Sequence, residues 1–201
     1  MPNADLTTLL EGLYFLKRLR RQGWIRAGVT ISEVETVAEH IYGVAILALL
    51  LCPLENKQRR KANQLELNSE LVLKLALVHD LAESKYQDLD TSLASLIGKE
   101  RFSDFKQNAE ETAFLQIQQE LSRILGVQAE IPSLFEESPE VQFVQDLDKL
   151  DMILQAANYI QHGLAPKTVQ KLLEEVLTAL KEPHSFSVKW FLKEWNPDIS
   201  H

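Results

Sequence analysis

Residues 69–83 read SELVLKLALVHDLAE. Ser69 is a typical N-cap residue, and apolar side chains follow it at the three- and four-residue spacing of an α-helix, at Leu71, Val72, Leu75 and Val78. The predicted helix ends at an adjacent histidine and aspartate, His79 and Asp80. Because an isolated carboxylate is costly to bury, Asp80 needs a positive partner. This stretch therefore predicts a helix that ends in a polar, buried site.

Helical spacing of apolar residues recurs along the rest of the chain, whereas strand-like alternation is scarce and no Asn-Gly or Asp-Gly dipeptide occurs. We therefore predict an all-α fold. We expect Pro53 to end the second helix, and Ser138 followed by Pro139 to begin a later one. The predicted helices cover about residues 6–23, 36–51, 69–80, 103–125, 139–163, 166–180 and 188–195.

Composition narrows the class of protein. The chain has 201 residues, of which 45% are hydrophobic and 25% charged, as is typical of one folded domain. A net charge of −8 argues against DNA or RNA polymers as partners, because their binding needs surplus Lys and Arg. One cysteine, Cys52, excludes an intrachain disulfide and a multi-cysteine zinc site. The longest apolar run, residues 44–51, is much shorter than the ~20 residues of a membrane span, and we expect a cytoplasmic protein without a membrane partner.

Histidines and acids are the remaining candidates for chemistry, since glycine-rich phosphate loops and the Gly-x-Ser-x-Gly motif are absent. His40 lies on the predicted second helix, and Asp148 lies among apolar residues of a later helix. If these two residues converge with His79 and Asp80, two imidazoles and two carboxylates form a site for Mn²⁺, Fe²⁺, Co²⁺, Ni²⁺ or Zn²⁺. A lone histidine on an apolar helix face is more often an ordinary core residue, and position in the sequence leaves convergence open.

The surroundings of these residues resemble a known family. The matching stretches are KRLRRQGW at residues 17–24, ETVAEH at 35–40, HDLAE at 79–83 and DLDKL at 146–150. Together they resemble the HD-domain metal-dependent phosphohydrolases, and among them the compact 5′-deoxynucleotidase branch, over about residues 9–159. The resemblance implies an all-helical, usually dimeric protein that hydrolyses deoxyribonucleoside 5′-monophosphates. It also implies that one divalent cation is held by His40, His79, Asp80 and Asp148.

The resemblance assigns roles to four further residues. Glu83 matches the catalytic glutamate of the family, and Trp24 matches its substrate-binding tryptophan. Asp88 and Thr91, in the segment DLDT, match two substrate-contacting residues.

Two positions depart from the family pattern. Gln87 stands where the family usually has glycine. Gly23 stands where some bacterial members have an arginine that orients the phosphate. Arg21 and Arg26 are the candidates to replace that arginine.

The spacing of histidines favours a single metal ion. Dinuclear HD proteins generally have further histidines between the His-Asp pair and the last aspartate, and this chain has none from Leu81 to Leu147. We expect residues 1–201 to form one HD-type domain. Residues 9–160 would hold the metal-site core, and C-terminal helices within residues 165–195 would pack on it. We also expect a homodimer.

A divalent ion can lower the pKa of water from about 15.7 to near 7, so the expected reaction is phosphate ester hydrolysis by a metal-activated water. If the helix continues through Glu83, Asp80 and Glu83 share one face, and Glu83 could orient the water or shuttle its proton. The alternatives are a phosphodiesterase or pyrophosphohydrolase acting on another nucleotide, and a non-catalytic nucleotide-binding HD protein.

Other acids near Asp148 are expected to lie outside the ligand set. Asp151 is expected to pair with Lys149 or with an arginine. The spacing of Asp146 is expected to turn it away from Asp148.

Overall fold

The prediction of an all-α fold is confirmed. The computed structural model describes residues 4–89, 93–164 and 166–195, and within these ranges the chain forms ten helices and no sheet. The helices are α1 (Ala4–Phe15), α2 (Gln22–Arg26), α3 (Val37–Lys61), α4 (Ser69–Val78), α5 (Glu83–Tyr86), α6 (Leu93–Ile97), α7 (Lys99–Leu125), α8 (Pro139–Gln161), α9 (Pro166–Ala179) and α10 (Phe186–Glu194).

Side-chain caps define the starts of the three central helices. Thr36 and Glu39 form a reciprocal capping box at the start of α3. Asn68, rather than the expected Ser69, caps α4, and its side chain accepts hydrogen bonds from two backbone N–H groups. Ser138 caps α8 and Pro139 occupies its first turn, as predicted. These caps place the helices that carry the candidate site.

The expectation that Pro53 ends the second helix is wrong, since α3 continues to Lys61. Proline removes one backbone N–H group and leaves the carbonyl four residues earlier, that of Leu49, without its helical partner. Leu49 and Pro53 are both exposed, so this carbonyl belongs to the solvent side of the helix. The loss is therefore tolerated, and beyond Pro53 the buried side chains of Glu55 and Asn56 hold the helix through hydrogen bonds with Ser187 and with the backbone of Leu67.

The core lies where α3, α4 and α8 pack against one another. Its buried side chains include Val44 of α3, Leu75 of α4 and Leu150 of α8. Helices α9 and α10 pack on α8 and α3, whereas α1, α5 and α6 contact α7. The three central helices thus form a support from which polar side chains can be directed into one site.

The length and hydropathy of helix α3 are compatible with more than one kind of environment. Among the described helices it is the one long and apolar enough to cross a membrane by length and composition alone. Core helices of globular proteins have the same character, and ten residues of α3 are buried inside this fold.

Candidate metal centre

The central helices bring together four of the predicted site residues. His40 lies near the start of α3, His79 and Asp80 directly follow α4, and Asp148 lies in α8. His40 Nε2 lies 3.1 Å from His79 Nε2 and 3.0 Å from Asp148 Oδ1. Asp80 Oδ2 lies 3.4 Å from His79 Nε2 and 3.6 Å from His40 Nε2. Two imidazole nitrogens and two carboxylates therefore share one small volume.

Tight turns, rather than a continuing α-helix, connect Asp80 to Glu83. Helix α4 ends at Val78, and Leu81 N then donates to Val78 O at 3.0 Å. Glu83 N donates to Asp80 O at 3.1 Å. These bonds span three residues and tighten the backbone. The α-helix assumed for this segment does not persist, but one turn still separates the two acids.

The ring nitrogens of the two histidines fit a cation site. His79 Nδ1 lies 2.8 Å from Ala76 O, and His40 Nδ1 lies 2.8 Å from Asp151 Oδ2. Because carbonyl and carboxylate oxygens accept hydrogen bonds, both Nδ1 atoms carry a proton, and in each neutral ring Nε2 presents a lone pair. The two Nε2 atoms lie 3.1 Å apart, and their lone pairs repel each other unless a positive charge lies between or beside them. That charge is either a proton or a cation.

The charges around the histidines favour this positive charge. Burial and Arg21 lower the pKa of His40, but hydrogen bonds to Asp148 and Asp151 outweigh them and raise it to about 10. Burial disfavours the ionised form of Asp148, yet the hydrogen bond and charge of His40 keep its pKa below the ordinary value. The donor set of two imidazoles and two carboxylates fits a borderline divalent metal ion.

Arg21 holds one of the candidate ligands. Its Nη1 donates to Asp80 Oδ2 at 2.8 Å. Burial disfavours the charged guanidinium, but Asp80 and Asp148 raise the pKa of Arg21 above its ordinary value. Of the two arginines considered from the sequence, Arg21 therefore reaches the site, and it does so through its hydrogen bond to the Asp80 carboxylate.

Glu83 is buried beside the four residues, with 3% of its surface exposed. Its Oε2 atom has no hydrogen-bond partner among the residues that the structure describes. Burial and the charges of Asp80 and Asp88 raise the pKa of Glu83 to about 9. A buried carboxyl oxygen without a partner is costly to the fold and is typical of a functional group.

A cavity of about 420 Å³ opens beside the four residues, a size typical of small-molecule sites. His79, Asp80 and Asp148 line it, and α7 contributes Lys106 and Glu110 from another direction. Lys106 is the one lysine or arginine among the described lining residues, and its Nζ lies 3.3 Å from Glu110 Oε1. Burial lowers the pKa of Lys106, but Glu110 and Asp80 outweigh this effect and raise it. Sequence reasoning missed this lysine, because a helical lysine is ordinarily a solvated surface residue.

Asp88 contacts the start of α2. Its Oδ2 accepts a hydrogen bond from Gln22 N at 2.5 Å, and burial raises the pKa of its carboxyl group. The preceding Gln87 has φ 70° and ψ 171°, a conformation that favours glycine. The backbone thus keeps a glycine-like path where the family usually has glycine. Thr91 lies outside the described residues, and its substrate contact stays a prediction.

Trp24 lies in the core rather than among the residues that line the cavity. The residue is 2% exposed, and its ring packs edge-on against Tyr159, with 5.2 Å between the ring centroids. Its Nε1 donates to Glu35 Oε1 at 2.7 Å. A direct substrate contact by Trp24 would require α2 to move, and this contact stays a prediction.

Two acids near Asp148 have partners that the sequence did not indicate. Asp151 bonds His40 Nδ1, so the expected pairing with Lys149 or an arginine is wrong. Its spacing of three residues from Asp148 was the available signal, since such residues lie side by side on a helix. Asp146 is buried, and its Oδ2 accepts hydrogen bonds from the backbone N and Oγ of Ser185, at the start of α10.

Comparison with known proteins places the chain in a family. Residues 14–184 match the family described as HD domain. The chain belongs to the HD domain family. This HD-domain protein is 35% identical over 164 residues to 5′-deoxynucleotidase hdd1 of Schizosaccharomyces pombe, covering 78% of this chain and 73% of the relative. It is 34% identical over 173 residues to 5′-deoxynucleotidase HDDC2 of Homo sapiens, covering 84% and 74%.

A solved structure shows the same fold. A conserved hypothetical protein from Pyrococcus furiosus matches this HD-domain protein with a TM-score of 0.68 and 30% sequence identity. The match covers 94% of this chain and 95% of that protein. The resemblance expected from the sequence is therefore confirmed.

Proposed function

We propose that this HD-domain protein is a metal-dependent phosphohydrolase that converts deoxyribonucleoside 5′-monophosphates to deoxynucleosides and phosphate. The observation that carries this proposal is the convergence of His40, His79, Asp80 and Asp148 beside the cavity lined by Lys106. Relatives that carry the name 5′-deoxynucleotidase and are 32–35% identical over most of this chain support the substrate class.

The four converging residues would hold one divalent cation. When bound, such an ion supplies Lewis acidity, lowering the pKa of a water molecule and offsetting negative charge on a phosphate group. Arg21 orients Asp80 by its hydrogen bond. Asp151 and the carbonyl of Ala76 engage the Nδ1 atoms of the two histidines and leave both Nε2 atoms directed at the shared volume.

Glu83 would act on the attacking water. Its buried Oε2 is free to accept a hydrogen bond from a water molecule, and a buried carboxyl group can exchange a proton with it. In hydrolysis the water oxygen forms a bond to phosphorus, the bond from phosphorus to the 5′ oxygen breaks, and that oxygen receives a proton. Glu83 is the residue we assign to this proton movement.

Lys106 would bind the phosphate group. Acidic residues dominate the charged lining of the cavity, so a phosphate needs positive charge from the protein as well as from a metal ion. Glu110 holds the Lys106 side chain at the cavity through their ion pair. The ammonium group would contact phosphate oxygens, and Asp88, Thr91 and Trp24 stay our candidates for contacts with the rest of the nucleotide.

A phosphate-release screen tests the proposal. Purified protein would be assayed with the deoxy- and ribonucleoside 5′-monophosphates in the presence of Mn²⁺, Co²⁺, Fe²⁺, Ni²⁺ or Zn²⁺. We expect phosphate and nucleoside from the deoxyribonucleotides, and weaker release from the ribonucleotides. Nucleotide or pyrophosphate products from other substrates would indicate a phosphodiesterase or pyrophosphohydrolase instead. Nucleotide binding without turnover would indicate the non-catalytic alternative.

We also propose that the protein is a homodimer that pairs through α3. Four exposed apolar side chains follow one stripe of this helix, namely Tyr42, Leu49, Leu50 and Leu54. Trp190 of α10 is exposed beside Leu54. Such a stripe is typical of a surface that is covered by a partner. Sedimentation velocity is expected to give a dimer for the wild type and a monomer for Leu50→Glu, while Leu65→Glu, at an exposed leucine after α3, leaves the dimer intact.

We further propose a cytoplasmic location without a membrane or nucleic-acid partner. The net charge of −8 supports the lack of a nucleic-acid partner, and the burial of ten residues of α3 within the helical core supports the lack of a membrane partner. Cell fractionation of the tagged protein would test the location. Recovery in the membrane pellet would contradict it.

A further inference from the structure

The Nδ1 atoms of His40 and His79 form hydrogen bonds to different kinds of acceptor. His79 uses a backbone carbonyl of α4, the helix that it directly follows, namely Ala76 O, which any sequence would supply. His40 uses a side chain from another helix, Asp151 of α8, at 2.8 Å. The orientation of the fully buried His40 ring therefore depends on one specific carboxylate.

Helix α8 contacts both nitrogens of the His40 ring. Asp148 Oδ1 lies 3.0 Å from Nε2, and Asp151 Oδ2 lies 2.8 Å from Nδ1. The two acids are three residues apart, so one turn of helix separates them. Asp148 belongs to the group of candidate ligands, whereas Asp151 lies on the opposite edge of the imidazole.

Gly43 of α3 provides the space for Asp151. A Cβ atom built at Gly43 would lie 2.1 Å from Asp151 Oδ1 and 2.9 Å from its Cγ. Any residue other than glycine would therefore displace the carboxylate that holds His40. Glycine is unfavourable inside a helix, and this close approach gives it a structural reason here.

We propose that Asp151 is a positioning residue that keeps the His40 proton on Nδ1 and its Nε2 directed at the metal site, and that Gly43 is required to admit it. The inference rests on the proposed metal site and concerns ion binding, so it is separable from the identity of the substrate. Carboxylates that hydrogen-bond a metal-ligating histidine fix its tautomer and orientation, and their loss typically weakens metal binding about 10- to 100-fold.

Metal binding without substrate tests the inference. Isothermal titration with Mn²⁺ would be combined with the visible spectrum of the Co²⁺-loaded protein. We expect Asp151→Ala to weaken Mn²⁺ binding about 10- to 100-fold and to alter the Co²⁺ spectrum. Asp151→Asn keeps a hydrogen-bond acceptor without the charge, and we expect a smaller loss.

Gly43→Ala examines the same contact without changing Asp151 itself. We expect it to weaken Mn²⁺ binding at least tenfold. Gly12→Ala is the matched control, because Gly12 also lies inside a helix and a Cβ there has nothing within 4 Å. Thermal unfolding followed by circular dichroism would show that each variant is folded at the temperature of titration.

Several outcomes would overturn the inference. Wild-type affinity and an unchanged Co²⁺ spectrum in Asp151→Ala or Gly43→Ala would do so. Binding of two ions by the wild type, with one lost in Asp151→Ala, would make Asp151 a direct ligand, and no ion binding by the wild type would remove the site itself. A wild type that binds Mn²⁺ but releases no phosphate would contradict the proposed function alone.

Discussion

The candidate site has two sides that are built differently. The side that carries the four proposed ligands rests on α3 with 25 residues, on α8 with 23 and on the end of the ten-residue α4, and His40 has no exposed surface. The other side includes α5 with four residues and α6 with five, together with the strained backbone at Gln87. His40 and Asp148 are thus fixed within packed helices and His79 and Asp80 at the end of another, whereas the proposed substrate contact Asp88 follows the four-residue α5.

This difference indicates a division of work within the site. Substitution of any of the four proposed ligands should abolish ion binding together with activity. Changes to Glu83, at the start of α5, and to Lys106, which lies on the 27-residue α7, should alter the reaction while ion binding persists. The following predictions test that separation.

Loss of a proposed ligand should have the largest effect. Asp148→Asn removes a carboxylate that faces His40 Nε2. We expect Mn²⁺ affinity to fall by more than about 100-fold and phosphate release to become undetectable, since a ligand contributes more than the residues that orient it. Titration calorimetry and a phosphate assay would measure both. Asp104→Asn, at an exposed position of α7, should behave as the wild type. Wild-type ion binding by Asp148→Asn would contradict the assignment of Asp148 as a ligand on the helical side of the site.

Removal of the proposed proton-transfer group should be nearly as harmful to turnover. Glu83→Gln keeps the shape of the buried side chain but cannot exchange a proton, and we expect kcat to fall about 100- to 10,000-fold. Mn²⁺ affinity should stay within about threefold of the wild type, because Glu83 is not among the four ligands. Glu100→Gln, at an exposed position of α7, is the control. An unchanged kcat would remove Glu83 from the reaction.

The cavity lysine should affect substrate binding more than the chemical step. Lys106→Met removes the positive charge that faces the cavity, and a charged hydrogen bond of about 1.5–3 kcal/mol corresponds to a rise in KM of roughly 10- to 100-fold. Lys85→Met is a close control, since Lys85 also pairs with an acid of α7, Glu120, but does not line the cavity. Equal KM values for the two variants would argue against a phosphate contact at Lys106.

The smallest effect should come from relief of backbone strain. Gln87 has φ 70° and ψ 171°, and strain in that region costs about 1–3 kcal/mol. We expect Gln87→Gly to raise the free energy of unfolding by about 1 kcal/mol, after the entropic cost of glycine is subtracted. Urea denaturation would measure it. Asn63→Gly should give a smaller change, because asparagine tolerates its φ of 54°. A less stable Gln87→Gly variant would show that strain does not distinguish this segment.

Much of the fold followed from local sequence signals. Ser138 and Pro139 define the start of α8 through nearby backbone groups, and the predicted helix end at residue 125 coincides with the end of α7, where Gly126 adopts a left-handed conformation. The prediction at Pro53 was wrong because the cost of an internal proline depends on whether the freed carbonyl faces solvent, and that depends on tertiary packing.

The candidate site was likewise only partly predictable from the sequence. The pattern of His40, His79, Asp80 and Asp148 was visible in the sequence because the spacing and neighbours of these residues resemble a family. The contacts of Asp151 with His40 and of Trp24 with Glu35 were not predicted, since each depends on how two separate segments approach each other in the fold. Lys106 was missed because a lysine on a helix is ordinarily a solvated surface residue, and only the packing of α7 places it at the cavity.

The sequence by itself determined that the chain is helical, that it has HD-type motifs and that its acids and histidines are the candidates for chemistry. Periodicity and capping are properties of neighbouring residues, so they can be read along the chain. Only the tertiary structure decided which carboxylate orients His40, why Gly43 must lack a side chain, and which lysine faces the cavity. Those features depend on distances between helices that are far apart in sequence.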